Sequence, residues 1–146
     1  MGSKNKLKRF NQNKTFTNVI QPEREEVTSG NFQYKGRWNN SFFKKDKPLV
    51  VELGCGKGEY SVYLAQQYPE KNFVGVDIKG ARFWAGAKES LELGLTNVAF
   101  LRTQIELIED IFAEDEVDEI CITFPDPQIK FKRTKHRLTN PQFLAR

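Results

Sequence analysis

The stretch from Leu49 to Asp77 limits what this chain can fold into more than any other. Leu49-Val50-Val51-Glu52-Leu53 is an apolar run of strand length, and Gly54-Cys55-Gly56-Lys57-Gly58 ends it with a glycine-rich turn. Glu59-Tyr60-Ser61-Val62-Tyr63-Leu64-Ala65 then opens a helix with one apolar face, and Asn72-Phe73-Val74-Gly75-Val76 forms a second strand that ends at Asp77. The glycines accept positive φ without strain and let the backbone come close to a ligand. The amino end of the following helix adds a favourable place for electron-rich groups. An acid about 20 residues beyond such a turn is where dinucleotide-binding folds hold ribose hydroxyls. The order strand, turn, helix, strand, acid therefore predicts an open α/β sheet built around a nucleotide-like ligand.

Spacing narrows the ligand. Gly54, Gly56 and Gly58 give G-x-G-x-G, whereas the nicotinamide-dinucleotide fingerprint is G-x-G-x-x-G and would need glycine where Glu59 stands. A pyrophosphate at this turn would meet Glu59 and Glu52, both repulsive. No G-x-x-x-x-G-K-[ST] run occurs, which excludes a Walker-type loop. S-adenosylmethionine has no phosphate and carries a cationic sulfonium and ammonium, so acids at the strand ends suit it.

A second site lies downstream. Ile120-Cys121-Ile122 reads as a buried strand, and Thr123-Phe124-Pro125-Asp126-Pro127-Gln128-Ile129-Lys130 follows it. Asp126, held between two prolines, falls at the carboxyl end of that strand, where open α/β sheets place their chemistry. Lys130, Lys132, Arg133, Lys135, His136 and Arg137 follow as a basic apron that fits a polyanion. In all, strands are expected near 49–53, 72–77, 97–102 and 118–124, with helices near 59–68, 80–93 and 105–112.

Together, Val51-Glu52-Leu53-Gly54-Cys55-Gly56-Lys57-Gly58, Gly75-Val76-Asp77-Ile78-Lys79 and Thr123-Phe124-Pro125-Asp126-Pro127 make the chain resemble the bacterial tRNA (guanine-N7-)-methyltransferases. The stretch Lys135-His136-Arg137-Leu138-Thr139-Asn140-Pro141 is similar to the basic helix start after the FPDP motif of that family. The glycine motif alone marks a class I methyltransferase, and FPDP with its basic sequel is far more specific. The resemblance implies a Rossmann-like, mostly parallel sheet with helices on both faces. The first four of its seven strands are expected, in the order 3-2-1-4. It implies S-adenosylmethionine bound by Glu52, Gly54, Gly56, Asp77, Gln104 and Asp126. Asp126 is the implied catalytic residue, and Lys130, Lys132, Arg133, Lys135 and Arg137 face the substrate. That substrate is a variable-region guanine of tRNA, methylated at N7. Two positions depart from the family pattern. Gln128 stands where a tryptophan is usual, and Gln104 replaces an acid at the end of the third strand, though its amide oxygen still accepts a hydrogen bond.

Composition bounds the alternatives. A chain of 146 residues makes one domain, read as a basic extension over 1–46 and an incomplete methyltransferase domain over 47–146. Net charge is +4, compatible with nucleic acid without identifying it. Lys4, Lys6, Lys8, Arg9 and Lys14 lie in a polar stretch of little periodicity, expected to be a flexible arm. Two cysteines are too few for a disulfide framework or a zinc site, so no metal is expected. No apolar run approaches a membrane span or a signal core, and a cytoplasmic setting is the default. The sheet is expected to leave its fourth strand with an open edge, and the chain to be a fragment of a longer protein. Asp77 has a second reading as a helix cap, Asp126 as a turn residue, and the basic apron as a solvated face. Competing functions are methylation of another nucleophile, a non-catalytic RNA-binding subunit of the same fold and, for its spacing the weakest, a nicotinamide oxidoreductase.

Overall fold

The computed structural model describes residues 3–123 and 129–133, with Ser3, Lys4, Thr123 and 129–133 described by their backbone. Its centre is the expected set of strands: β2 (Leu49–Leu53), β3 (Asn72–Asp77), β4 (Val98–Arg102) and β5 (Glu119–Thr123). They stand side by side as β4-β3-β2-β5, all parallel, which is the order 3-2-1-4. β2 is buried at every residue because helices and an aromatic layer cover both faces of the sheet. A parallel strand covered on both sides is apolar throughout, so Leu49-Val50-Val51 shows no alternation in sequence.

Side-chain alternation divides the core into two layers. Val50, Phe73, Val98 and Phe100 pack beneath α3 (Glu59–Gln67) and α4 (Gly80–Glu92), against Val62, Leu64, Phe83 and Ala87. Leu49, Val51, Val74, Val76 and Leu101 face the other way. There they meet Trp38, Phe43, Ile108, Ile111 and Phe112. Trp38 is fully buried, stacks on Phe112 with 5.3 Å between ring centroids, and donates its indole N–H to the Ile111 carbonyl at 3.0 Å. That bond lets the one polar atom of the ring enter the core without a desolvation penalty. The expected helix over 105–112 is a 3-10 turn at Ile105–Leu107 continued by a short α5 (Ile108–Ile111).

Two expectations are corrected. The polar stretch at the start of the chain is no flexible arm. Ser3–Asn13 forms α1, and the Asn13 side chain donates to the Gly80 carbonyl at 2.9 Å, fastening the helix to the start of α4. The short strand β1 (Val19–Ile20) follows and adds to β4 in parallel, and the short helix α2 (Arg24–Thr28) comes next. Apolar periodicity misses α1 because polar groups dock it. Trp84 donates to the Gln12 side chain at 2.8 Å, and the Arg9 guanidinium lies 4.6 Å over the Trp84 ring. The fourth expected strand likewise has no open edge: β6 (Ile129–Arg133) runs antiparallel along β5, pairing Thr123 with Ile129 and Glu119 with Arg133. Its Ile-Lys-Phe-Lys-Arg sequence reads first as an apron of charge, which hides its alternation of apolar and basic residues.

The glycine turn and α4 meet backbone to backbone. A methyl group on Gly86 would lie 2.7 Å from the Lys57 carbonyl oxygen and 3.1 Å from the Gly58 Cα. Helix propensity alone favours alanine in a helix interior by about 1 kcal/mol. The backbone clash reverses that sign, and Gly86→Ala is expected to lower stability by about 1–3 kcal/mol. A urea titration of both proteins checks this, and a gain in stability would show that α4 is free to move away.

Candidate active site

The candidate site is built where β2, β3 and β4 end. After Leu53 the chain turns through Gly54, Gly56 and Gly58 with φ of 72°, 56° and 82°, each in the left-handed region. A side chain on Gly54 would project into open space above the sheet edge, so glycine keeps that edge clear for a ligand. A side chain on Gly58 would lie 2.6 Å from the Phe100 ring, so that glycine serves packing. The Gly54 and Cys55 amides both donate to the Val76 carbonyl, at 2.8 and 2.9 Å, and tie the turn to the neighbouring strand.

Asp77 fixes the turn from the side. One carboxylate oxygen accepts the Gly56 amide at 2.9 Å and the other accepts the Lys79 amide at 2.9 Å, at the entrance to α4. Hydrogen bonds to a charged acceptor are worth about 1.5–3 kcal/mol each, and each oxygen keeps a further lone pair. Asp77 therefore supports the helix start and remains able to accept hydroxyl groups. Glu52, on the same sheet face, is buried and accepts the Ser61 hydroxyl at 2.6 Å. Gly75, beside Glu52 in register, makes room for this pair: a side chain there would lie 3.0 Å from the Ser61 oxygen.

The third strand joins the same edge. Asp77 lies opposite Arg102, and the Thr103 amide donates to the Asp77 carbonyl at 3.1 Å, which brings Gln104 beside the turn. The Gln104 amide oxygen accepts the guanidinium of Arg24, a residue distant in sequence. Glu52, Gly54, Gly56, Asp77 and Gln104 thus share one end of the sheet. Lys130, Lys132 and Arg133 lie on β6 in register with Ile122, Ile120 and Glu119. Asp126, Lys135 and Arg137 fall outside the described residues. Four partners in this region escaped sequence reasoning: Ser61, the Lys79 amide, Arg24, and Arg82, whose guanidinium lies 3.3 Å from where a Gly56 methyl would stand. Ser61 alone left a signal, as a polar residue on the apolar face of its helix.

The turn is electronegative. Burial pushes the Cys55 thiol well above its ordinary range, the charges of Glu52 and then Asp77 push it further, and Arg82 opposes them. The Cys121 thiol, paired with Tyr60, is likewise raised from 9.0 to about 12, by burial first and then by Glu52 and Glu119. A field of this sign repels phosphate and favours a ligand with positive charge. Among the described residues no group of three or more His, Cys, Asp or Glu is placed to hold a metal ion, and no helix is long and apolar enough to cross a membrane.

The parallel order 3-2-1-4, with a glycine turn after the first of these strands and an acid after the second, defines a class I methyltransferase fold. A solved structure described as an antibiotic related methyltransferase superposes on 75% of this chain and 50% of its own, with a TM-score of 0.51 and 21% identity. The family model described as "Putative methyltransferase" matches residues 46–146, and the chain belongs to that family. It is 69% identical over 146 residues to the tRNA (guanine-N(7)-)-methyltransferase of Christiangramia forsetii, covering all of this chain and 65% of that protein. It is 53% identical over 143 residues to the protein of the same name from Bacteroides fragilis, covering 98% of this chain and 56% of that one. The chain thus spans between about half and two thirds of the length of these relatives.

Asp77→Ala releases the Gly56 and Lys79 amides and removes two acceptor sites. Calorimetry is therefore expected to show S-adenosylhomocysteine binding weakened at least tenfold; unchanged affinity would leave Asp77 a structural cap alone. Alkali is expected to act through Cys121. Because its folded thiol holds its proton to about 12 while an unfolded thiol loses it near 9.0, the unfolded state binds fewer protons between these values. The stability that Cys121 contributes is fully present below 9.0 and is lost as pH rises toward about 12, so Cys121→Ala is expected to flatten the alkaline fall in melting curves in part, the raised Cys55 thiol keeping the remainder.

Proposed function

We propose that this chain is part of an enzyme that transfers the methyl group of S-adenosylmethionine to N7 of a guanine in the variable region of tRNA. The observation that carries this reading is the 69% identity, along the whole chain, to a relative named for that activity. The site supports the cofactor half of this reading independently, through a cleared glycine turn, an acid with free lone pairs for ribose hydroxyls, and a negative field suited to a cationic ligand. In this reading residues 47–146 are the cofactor-binding portion of the methyltransferase domain, and the protein works in the cytoplasm.

The residues present fit the cofactor. Asp77 takes the ribose hydroxyls with its remaining lone pairs, and Gly54 and Gly56 allow the methionine portion to lie against the backbone. Glu52 contributes negative charge below the turn, and the amide of Gln104 addresses the adenine edge. When bound, S-adenosylmethionine supplies an electrophilic methyl on a positively charged sulfur. Guanine N7 already carries a lone pair, so no base is needed to create the nucleophile. Transfer to N7 would exchange the carbon–sulfur bond for a carbon–nitrogen bond and would leave positive charge on the guanine ring, which is the charge this chain's residues have to meet. Asp126, held between two prolines, has the task of stabilising that developing charge and of accepting hydrogen bonds from guanine N–H groups. Alignment of N7, methyl carbon and sulfur supplies most of the remaining acceleration. Lys130, Lys132, Arg133, Lys135 and Arg137 bind tRNA phosphates, with Lys130 nearest the strand ends and Arg133, opposite Glu119 at the start of β5, farther from the target base.

A substitution in the full-length protein tests the assignment. Asp126→Asn keeps the shape and removes the charge, so turnover on bulk tRNA is expected to fall on the order of 10²–10³-fold while cofactor affinity stays near that of the parent. Asp126→Ala is expected to do no better. Nucleoside analysis of the tRNA product reads both the rate and the position of the methyl group. Near-parental rates in both variants would return Asp126 to the role of a turn residue, and methylation at another atom would replace guanine N7.

A further inference from the structure

We propose that the groove between α1 and α4 is a second RNA-binding surface, which holds sugar–phosphate backbone away from the methyl-transfer site. Lys8, Arg9 and Lys88 are its phosphate contacts. This deepens the function proposed above and rests on it for the identity of the polyanion.

The charge on α1 is one-sided. Its sequence, Ser-Lys-Asn-Lys-Leu-Lys-Arg-Phe-Asn-Gln-Asn, holds four cations and no acid. Like charges a helical turn apart oppose helix formation, so nothing local favours this concentration. The helix is kept in place by contacts with the domain: Asn13 to the Gly80 carbonyl, Trp84 to Gln12, and Arg9 over the Trp84 ring. Between the two helices lies a groove of about 470 Å³. Lys8, Arg9 and Lys88 line it, together with Asn5, Gln12 and Trp84, and no acid lines it among the described residues.

Trp84 organises the cations without consuming them. The Arg9 guanidinium sits 4.6 Å from the ring centroid and the Lys88 ammonium 5.4 Å from it. A guanidinium held by its face against an aromatic ring keeps the N–H groups at its edge available for phosphate oxygens. The ordering cost of the arginine is thereby met before RNA arrives. Lys88 also approaches Glu92 at 4.0 Å, but both side chains are more than half exposed and such a pair is worth little.

Position argues for a track continuous with the site. Asn13 ends α1 at Gly80, three positions beyond Asp77, so one end of the groove lies beside the cofactor edge. From there α4 leads away for about 20 Å, at the usual rise of a helix. An anionic membrane surface is the competing partner for a basic helix. It calls for a broad apolar face, and α1 exposes Leu7 as its one large exposed aliphatic.

The test measures binding of fluorescently labelled bulk tRNA to the full-length protein across a salt series. Lys8→Gln with Lys88→Gln leaves Arg9 and the docking of α1 intact. A melting curve and S-adenosylhomocysteine affinity equal to the parent's confirm the fold. The double variant is expected to bind tRNA about tenfold more weakly at low salt. Its log–log salt slope is expected to be shallower by about 1.8, from about 0.9 for each duplex phosphate that is no longer neutralised. Lys44→Gln with Lys45→Gln, at the other end of β2, is expected to leave the slope unchanged. An unaltered slope in the Lys8/Lys88 variant overturns the inference. So does binding to phosphatidylserine vesicles that exceeds binding to tRNA and disappears with the same substitutions. Guanine N7 methylation with a salt slope indifferent to Lys8 and Lys88 removes the groove alone. A slope that depends on them in a protein that never methylates tRNA removes the proposed activity alone.

Discussion

The carboxylate of Asp77 is the contact on which the candidate site depends. It receives the Gly56 amide from the turn after β2 and the Lys79 amide at the start of α4. Without it, two loops from neighbouring strands would end in unpaired donors at the edge of the sheet. An amide left without a partner in a partly buried place costs about 1–3 kcal/mol, a sizeable fraction of the roughly 5–15 kcal/mol that holds a domain folded. A single acid thus holds both loops at once and still presents lone pairs toward the space above them. The support Asp77 gives both loops leaves it able to take the proposed ribose contact, so its two sequence readings, cap and ribose acceptor, are compatible.

The rest of the edge is held by close approach. Gly86 brings α4 against the turn, Gly58 admits the Phe100 ring, and Gly75 leaves room for the Glu52–Ser61 pair. Each of these glycines answers a different neighbour, whereas Gly54 faces open space. Within the turn itself Gly58 is the packing position, Gly56 borders the end of the Arg82 side chain, and Gly54 is clear. The turn's glycines fix how near α3 and α4 come to the strand ends, and so the depth of the site.

Legibility follows the range of the interaction. The four central strands and α3 and α4 are readable because apolar runs, glycines and strand-terminal acids are local signals, whereas the order of the strands follows from the family resemblance. The aromatic layer of Phe32, Tyr34, Trp38, Phe42 and Phe43 packs on the domain, as its composition suggests. α1 is not readable as a helix, since Asn13, Gln12 and Arg9 are polar residues whose partners lie about seventy positions away. The same holds for Arg24, which reaches Gln104 across 80 positions and leaves no pattern in the sequence. Glu52 is legible as an acid at a strand end and Ser61 as a polar residue on an apolar helix face, but that the two pair becomes visible only when α3 folds over β2.

The distribution of charge links these parts. Acids gather at the inner wall of the turn, where Glu52 and Asp77 raise the thiol of Cys55, while α1 carries cations alone. Mixed together, these groups would neutralise one another at short range. Kept apart, they leave a negative turn at the strand ends, as a cationic ligand requires, and a positive flank on α1, as the RNA groove proposed above requires. Salt screens exposed charges beyond about 8 Å at physiological ionic strength, so the two fields need little distance to act independently. Arg82 lies at the boundary, beside Gly56 and within the field felt by Cys55. A cationic ligand arriving at the turn meets that guanidinium as a like charge, and an exposed arginine at the start of a helix is free to swing toward solvent. Its long side chain therefore balances the acids of the turn without having to remain beside them when a cation takes over that task.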